Sequence, residues 1–471
     1  MKSYSRFVLF FLLLQGVVAG NCQSINPITA GFRAMKFWNM RSVDGGNLSI
    51  EPLAQHDTTV AWLVVHPERG FVVISADSIL RPVLAYGDVV PNQSPKQFSA
   101  WKILLASDYN GRLDAISEGS IPSEKMYWKE SPRTPFQQWP PEGSTVTGGW
   151  LFTNWTQSSP YNKFCPMDLN AGSRSYVGCP ATVMAQIFNY NRSLNFTRFD
   201  DTDDYYHSYG AGNQYWIDND YAVRKFPSFP ELNVWLDTLE KCYTNGYPTT
   251  DSMHAALSFA TGVAAHQVYT ASGSGTFGVD QAYMAILRFG FDQAELLMPP
   301  DTSINARVAE DMKNAMPAHL AVVDETNTTG HNVVIDGYNT DEFYHFNFGW
   351  GGSANGWYTL PPASMPYNLT VIEGVVVRIR STYAGIGQAS AKSSTVTFSS
   401  PERTKVAITG LESGNAYTLQ LYNAAGSLAC ELRFEATAVD QIIATGPLAP
   451  GLYVCRLTAR GQQYNGKVVM L

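Results

Sequence analysis

The period of the hydrophobic positions changes several times along the chain, and each change marks a different architecture. From residue 60 to residue 88, VAWLVVHPERGFVVISADSILRPVLAYGD holds three β-rich runs. They are broken by Pro-Glu-Arg-Gly and by Asp77-Ser78, so hairpins are expected. The next stretch, SAWKILLASDYNGRLDAISE, has helical spacing and is predicted to set Trp101, Ile103, Leu104 and Leu105 on an apolar side. SPRTPFQQWPPEGST, residues 131–145, then reads as an exposed, proline-rich linker of the kind that proteases cut.

Residues 146–380 begin with helical patterns and end in strands. ELNVWLDTLEKCY and SMHAALSFATGVAA are amphipathic helix candidates, and HNVVIDGYNTDEFYHFNFGWGG reads as strand, turn and strand. Early helices and a late antiparallel sheet predict an α+β domain with a cleft between the two parts. After the small-residue stretch GIGQASAKSS, short alternating segments such as AYTLQLYNA, LACELRF and GLYVCRLTA predict a small β-sandwich.

Composition sharpens this picture. A chain of 471 residues suggests about three domains. With 45% hydrophobic and 15% charged residues it has ample core material and is not disordered. The net charge of −8 comes with no basic cluster, so no nucleic-acid partner is expected. No internal repeat and no Walker, HExxH, CxxC or GxSxG motif is present.

At the N-terminus, Lys2 and Arg6 precede the apolar run FVLFFLLL and the small residues of QGVVAG, the pattern of a secretory signal over residues 1–20. Cys22 stands where a lipid-anchor cysteine would, although Asn21 fits that motif poorly. No transmembrane segment is expected. The six cysteines form neither a disulfide framework nor a zinc pattern, but Cys430 and Cys455 lie in strand-like segments that would allow a bridge. No metal or other cofactor is expected.

Candidate chemistry starts at Cys179, in YVGCPATVMAQIFNY. Pro180 suits a first helical turn, because its missing N–H would have no intrahelical partner there. Ala181, Met184, Ala185 and Phe188 recur at steps of three and four, so the helix buries one face. Cys179 therefore sits at the helix N-terminus, where the dipole favours a thiolate, and Gly178 lets the backbone approach closely. Two readings stand at this point: a nucleophile, or a small buried hydrophobe.

Of the eight histidines, His331 opens a strand behind Gly330. With the turn centred on Thr340 and Asp341, cross-hairpin partners have numbers summing to 681. Tyr338 then faces Phe343, Val334 faces Asn347 and His331 faces Trp350. Alternation puts Phe348 and Trp350 on the face of His331 and turns Asn347 to the other face, unless a bulge in FNFGWGG reverses it. Asp336 is expected on that other face, in a turn role.

VGCPATVMAQIFNYN, GHNVVIDGYNTDEFYHFNFGWGG and NWTQSSPYNKFCP together resemble the ordered signature blocks of the streptopain family of papain-like cysteine peptidases. GFVVISADSILRPVLAYGD resembles that family's inhibitory prodomain, and LAPGLYVCRLTARGQQYNGKVVML resembles a type IX secretion sorting domain of Gram-negative bacteria. The resemblance implies an α+β fold with a papain-like two-part catalytic domain, a helical part plus an antiparallel sheet. An α+β prodomain would precede it and a small β-sandwich would follow. The implied domains are a signal at 1–20, a prodomain at 21–139, a peptidase domain at 140–383 and a sorting domain at 395–471.

By the same resemblance Cys179 is the nucleophile and His331 its general base. Gln157 and the Cys179 amide form the oxyanion hole, Trp350 shields and orients the histidine, and Phe348 stands where papain has its Asn. The implied protein is a secreted or cell-surface endopeptidase of a Gram-negative bacterium, made as a zymogen. Its partners would be peptide or protein substrates with an apolar residue at S2, its own prodomain as inhibitor, and secretion machinery.

The sequence departs from the family in Pro180 after the nucleophile, in Phe348 for a Trp, and in VVDETNTTG before His331, where Asp324 and Glu325 would alter the cleft wall. A silent papain-like surface binder and a transglutaminase-like acyltransferase remain as alternatives. The acidic run FDDTDDYY reads as a solvated loop and ASGSGTFG as a flexible wall of the cleft.

Overall fold

A computed structural model describes residues 24–39, 48–128, 136–210, 212–324, 326, 328–362, 372–382, 397–402, 404–411, 413–423, 428–459 and 462–470. The signal stretch 1–20, Cys22, Glu325 and most of the first half of the 131–145 linker fall outside them. The chain divides into two compact units, Met1–Ala384 and Gly385–Leu471.

In the first unit, the β-branched and aromatic runs noted above become the strands Thr58–His66, Gly70–Ser75 and Val83–Gly87, joined with Ser49–Gln55 in antiparallel order. Every residue of Gly70–Ser75 is buried, because each face has its own helix. Phe71 and Val73 pack under the Pro95–Ser117 helix with Trp101, Leu105 and Tyr109. Val72 and Ile74 pack with Ala30 and Ala34 of the Pro27–Phe37 helix. Ile103 does not join the apolar side predicted for it and is 39% exposed. Two residues from Trp101 is about 200° around a helix, which carries its side chain to the far face.

Val83–Gly87 continues into the rest of the unit. Tyr86 pairs with Trp357 and Ala85 with Tyr358, so the N-terminal strands share one 11-stranded sheet with the later ones. The order runs on through Gly356–Tyr358, Tyr344–Asn347, Gly330–Asn339, Ala318–Val323, Ile372–Val377 and Glu295–Leu297. Phe346, Phe348, Trp350 and Tyr358 lie in the same apolar core as Phe71 and Trp101. The opposite face of the later strands, through Ala321, Val334 and Val376, packs on a helical layer built around Cys179–Asn191. That layer includes Phe229–Asn245, Asp251–Ala264 and Val279–Arg288.

The hairpin register is mixed. Val334 pairs with Asn347 as predicted, but Tyr338 pairs with Tyr344 and not with Phe343, because a bulge lies between Ile335 and Gly337. The irregularity falls on the first strand, whereas the sequence placed any bulge in FNFGWGG. The turn role expected for Asp336 is also wrong. Its carboxylate is fully buried, 2.6 Å from His345 Nδ1, and accepts the Leu151 N–H at 3.0 Å. The Trp150 N–H donates to the Asp336 carbonyl, and a Cβ at Gly149 would lie 2.1 Å from the carboxylate. A glycine is therefore required where 149–151 crosses this strand.

The second unit has a three-stranded sheet, Thr397–Glu402, Lys405–Thr409 and Gln441–Ala444. Its four-stranded sheet has the order Leu428–Glu435, Ala416–Tyr422, Gly451–Ala459, Gln462–Met470. Val406, Ile408, Leu419, Leu421, Tyr453 and Leu457 form its core. Cys430 and Cys455 do not bridge and both are free thiols. They flank Leu421 from opposite neighbouring strands, which sets them two strand spacings apart, roughly 9–10 Å, too far for a disulfide.

Candidate active site

Cys179 is the first residue of the Cys179–Asn191 helix and Pro180 the second, with Gly178 as N-cap at φ +89°. No side chain caps this end, so the first-turn N–H groups converge where the thiol sits. Pro180 through Phe188 are all buried, which makes this a core helix and not the one-faced helix that the spacing suggested. The backbone before it is clamped from both sides. The Val177 N–H donates to the Gln157 carbonyl at 2.8 Å, and Gln267 Nε2 donates to the Val177 carbonyl at 2.6 Å. A Cβ on Gly178 would lie 3.0 Å from the Ser274 carbonyl, so only glycine fits at that φ against that loop.

The Cys179 thiol is held above its ordinary value, chiefly by burial; N–H groups of Asn332 and of Cys179 itself offset part of this, and nearby Glu373 adds to it. The sequence had pointed to a depressed thiol. Desolvation of the sulfur outweighs the helix terminus here.

The sulfur's side-chain partner is Asn332, whose Nδ2 lies 3.6 Å away. Asn332 follows His331 in the Gly330–Asn339 strand and faces Ala321, on the helical side of the sheet. His331 faces Val322 on the other side and is buried there. Its Nε2–H donates to the Phe348 carbonyl at 2.9 Å. Trp350 stacks on the imidazole with ring centres 4.5 Å apart, and Phe348 lies nearly parallel to it at 5.8 Å. Burial pulls the His331 pKa down to about 4, so the ring is neutral. Among the described residues no hydrogen bond joins Cys179 to His331.

The remaining candidates fall around these two. Gln157 is half-buried in the loop that holds Val177 and hence the Cys179 backbone. Asn347 lies on the face opposite His331, as alternation predicted, which is the side of the Cys179 helix, and there it serves packing. It donates to the Thr153 carbonyl at 2.8 Å and meets Gln186 of the core helix. Asp324 does not present its carboxylate to the cleft. It accepts the N–H groups of Thr328 and Thr329 and folds the turn that leads to His331.

Sequence reasoning missed Asn332, His319 and Gln267. The parity that turned Asn347 away from His331 also turns Asn332 away, so that signal was available. His319 and Gln267 had none, because only the fold brings them here. Among the described residues no cluster of His, Cys, Asp or Glu is suited to hold a metal ion. Likewise no described helix is long and apolar enough to cross a membrane.

One N-terminal segment touches both the Gly-Ser loop beside Gly178 and the turn just beyond Trp350. Lys96 Nζ donates to the Ser272 carbonyl at 2.7 Å, in the Gly-Ser loop that packs on Gly178. The Asn92 N–H and Gln93 Oε1 both bond Ser353 Oγ, just beyond Trp350. Beneath them a buried Arg112–Asp108 ion pair on the Pro95–Ser117 helix also bonds the Thr359 carbonyl and hydroxyl.

Residues 155–358 match the model of the Peptidase C10 family. Over 216 residues the chain is 28% identical to the thiol protease/hemagglutinin PrtT of Porphyromonas gingivalis, across 43% of this chain and 22% of that protein. Over 221 residues it is 25% identical to streptopain of Streptococcus pyogenes, across 44% of this chain and 53% of that protein. The match thus spans about a fifth and about half of these relatives' own lengths. Among solved structures, a prointerpain A fragment of Prevotella intermedia aligns with TM-score 0.49 at 21% identity, covering 71% of this chain and 99% of that one. Active interpain A from the same organism aligns with TM-score 0.37 at 26% identity, covering 50% and 94%.

Proposed function

We propose that this chain, whose residues 155–358 match the Peptidase C10 family model, is a cysteine endopeptidase of streptopain type made as a latent precursor. The observation that carries the reading is the placement of Cys179. It is a partly exposed thiol at the uncapped N-terminus of a buried helix, in contact with the residue that follows His331. Residues 21–139 are the inhibitory prodomain, 140–383 the papain-like peptidase domain and 395–471 a sorting domain for secretion machinery. Residues 1–20 are an export signal, and the destination is the exterior or surface of a Gram-negative bacterium.

In the active form the Cys179 thiolate attacks the carbonyl carbon of a peptide bond, and His331 takes the thiol proton as general base. The oxyanion is held by the Cys179 N–H and the Gln157 side chain. His331 then protonates the leaving amine, and water hydrolyses the thioester with His331 as base. Trp350 and Phe348 wall the imidazole so that it is presented in one orientation.

The conformation described here is the latent one. His331 is neutral and bonded to Phe348 across the sheet from Cys179, while residues 92–96 bond both the Gly-Ser loop and the turn beyond Trp350. Loss of the prodomain removes the Trp101–Phe71 side of the core that Phe348 and Trp350 share, which frees His331 to reach the sulfur.

The separation of His331 from Cys179 also favours a second reading, a silent papain-like surface protein. One assay separates these from an acyltransferase: prodomain-free wild type and Cys179→Ala, each with an unfolded protein substrate and an amine donor under reducing conditions. Fragments from wild type alone support the peptidase. Amine-labelled products in place of fragments would support the acyltransferase, and no reaction the silent protein.

A further inference from the structure

Asn332 has hydrogen-bond partners on two sides. Its Nδ2 lies 3.6 Å from Cys179 Sγ, and its Oδ1 lies 2.7 Å from His319 Nε2. In this orientation the NH2 group faces sulfur and can donate to its lone pairs, and the amide oxygen accepts from a His319 ring protonated on Nε2. His319 is completely buried on the Ala318–Val323 strand, between Val334 and Val376 of its neighbours. Its Nδ1 is buried and has no partner among the described residues, which fits a neutral ring with that nitrogen unprotonated. The imidazole is thus a fixed donor that locks one rotamer of one amide, and the amide's free N–H points at the nucleophile.

We propose that Asn332, oriented by His319, is a positioning residue for the Cys179 thiol, stabilising the thiolate by an N–H donor that is independent of His331. This rests on the reading of Cys179 as nucleophile. It assigns a role to two residues that the Cys-His mechanism leaves unused. A donor to the charged form of an acid favours ionisation, and it does so most where water is scarce. Backbone N–H groups of Asn332 and Cys179 act in the same direction, but no other side chain around the sulfur does. The Cys179–Asn191 helix carries no charged side chain, and Glu373, whose carboxylate is held by the Val279 N–H, opposes ionisation. His331 lies across the sheet. Without the Asn332 side chain, the sulfur faces a carboxylate with only the backbone N–H groups of Asn332 and Cys179 in support.

The test is the pH dependence of Cys179 alkylation by iodoacetamide in the full chain, read by mass spectrometry of the Cys179 peptide, so that peptide cleavage is not the readout. Asn332→Ala is expected to shift the alkylation midpoint upward by about half to one pH unit, slowing the reaction about three- to tenfold below it. His319→Leu keeps Asn332 and removes its orienting donor, and it is expected to shift the midpoint the same way. His319→Gln, which restores an N–H donor, is expected to recover most of the shift. Circular dichroism of each variant reports folding, and the two sites are independent routes to the same effect. Midpoints for Asn332→Ala and His319→Leu within about 0.2 unit of wild type would overturn the proposal. A shifted midpoint in a protein that cleaves no peptide would uphold it while removing the peptidase reading. Cleavage with an unshifted midpoint would do the reverse.

Discussion

His331 donates its Nε2–H to the carbonyl of Phe348 on the face of the sheet opposite Cys179. A base in that position serves no thiol. Under the proposed mechanism the aromatic wall formed by Trp350 and Phe348 would have two states to serve, storing the imidazole in the precursor and presenting it to Cys179 in the mature form.

The stored state is expected to be acid-sensitive. The His331 pKa is about 4 in the folded protein against an ordinary 6.5, so the unfolded chain binds more protons between those values. Its stabilising contribution is complete above pH 6.5 and is lost as pH falls toward 4, by about 1.4 kcal/mol per unit. Urea midpoints of the precursor from pH 7.5 to 4 are expected to fall more steeply for wild type than for His331→Leu. Parallel slopes would contradict this.

The contacts of residues 92–96 with Ser272 and Ser353 should control release. Removing the side-chain bonds of Lys96 and Gln93 with a Lys96→Ala, Gln93→Ala double variant costs about 0.5–1.5 kcal/mol per bond. Self-processing, followed by gel or intact mass, is expected to speed up several-fold with the mature activity unchanged.

Arg112 is the stronger tether. Both charges of its pair with Asp108 are buried, and the guanidinium also bonds the Thr359 carbonyl and hydroxyl just after the Gly356–Tyr358 strand. Arg112→Ala leaves a buried carboxylate without its partner, at roughly 3–5 kcal/mol. Thermal unfolding of the precursor should drop sharply. Replacing both members with apolar residues should recover much of the loss.

Much of this was readable from residue pattern. Pro180 after Cys179 placed a helix start, and alternation put His331, Phe348 and Trp350 on one face and Asn347 on the other. What pattern could not give came from tertiary contact. The bulge at Asp336 exists because 149–151 and His345 converge on one buried carboxylate. The sheet runs unbroken from Val83–Gly87 into Gly356–Tyr358 because Tyr86 pairs with Trp357, a contact about 270 residues apart in sequence. The elevated thiol reflects desolvation by segments remote from Cys179, whereas a helix dipole is local and so was all that the sequence displayed.

Trp350 should act on rate and not on substrate affinity. Its ring covers the His331 imidazole at 4.5 Å. Trp350→Ala in the processed protein is expected to lower kcat about 10- to 100-fold with KM nearly unchanged, as general-base orientation is lost. A change confined to KM would place Trp350 in the substrate site instead.

The central claim, that Cys179 is the nucleophile of a latent peptidase, is tested most directly by a peptidyl epoxide inhibitor. The adduct is located by mass spectrometry in the precursor and in the prodomain-free protein. The expected result is stoichiometric labelling of Cys179 only after prodomain removal, with proteolysis of an unfolded substrate abolished in step. Proteolysis that persists with Cys179 unlabelled, or with Cys179→Ala in its place, would contradict it.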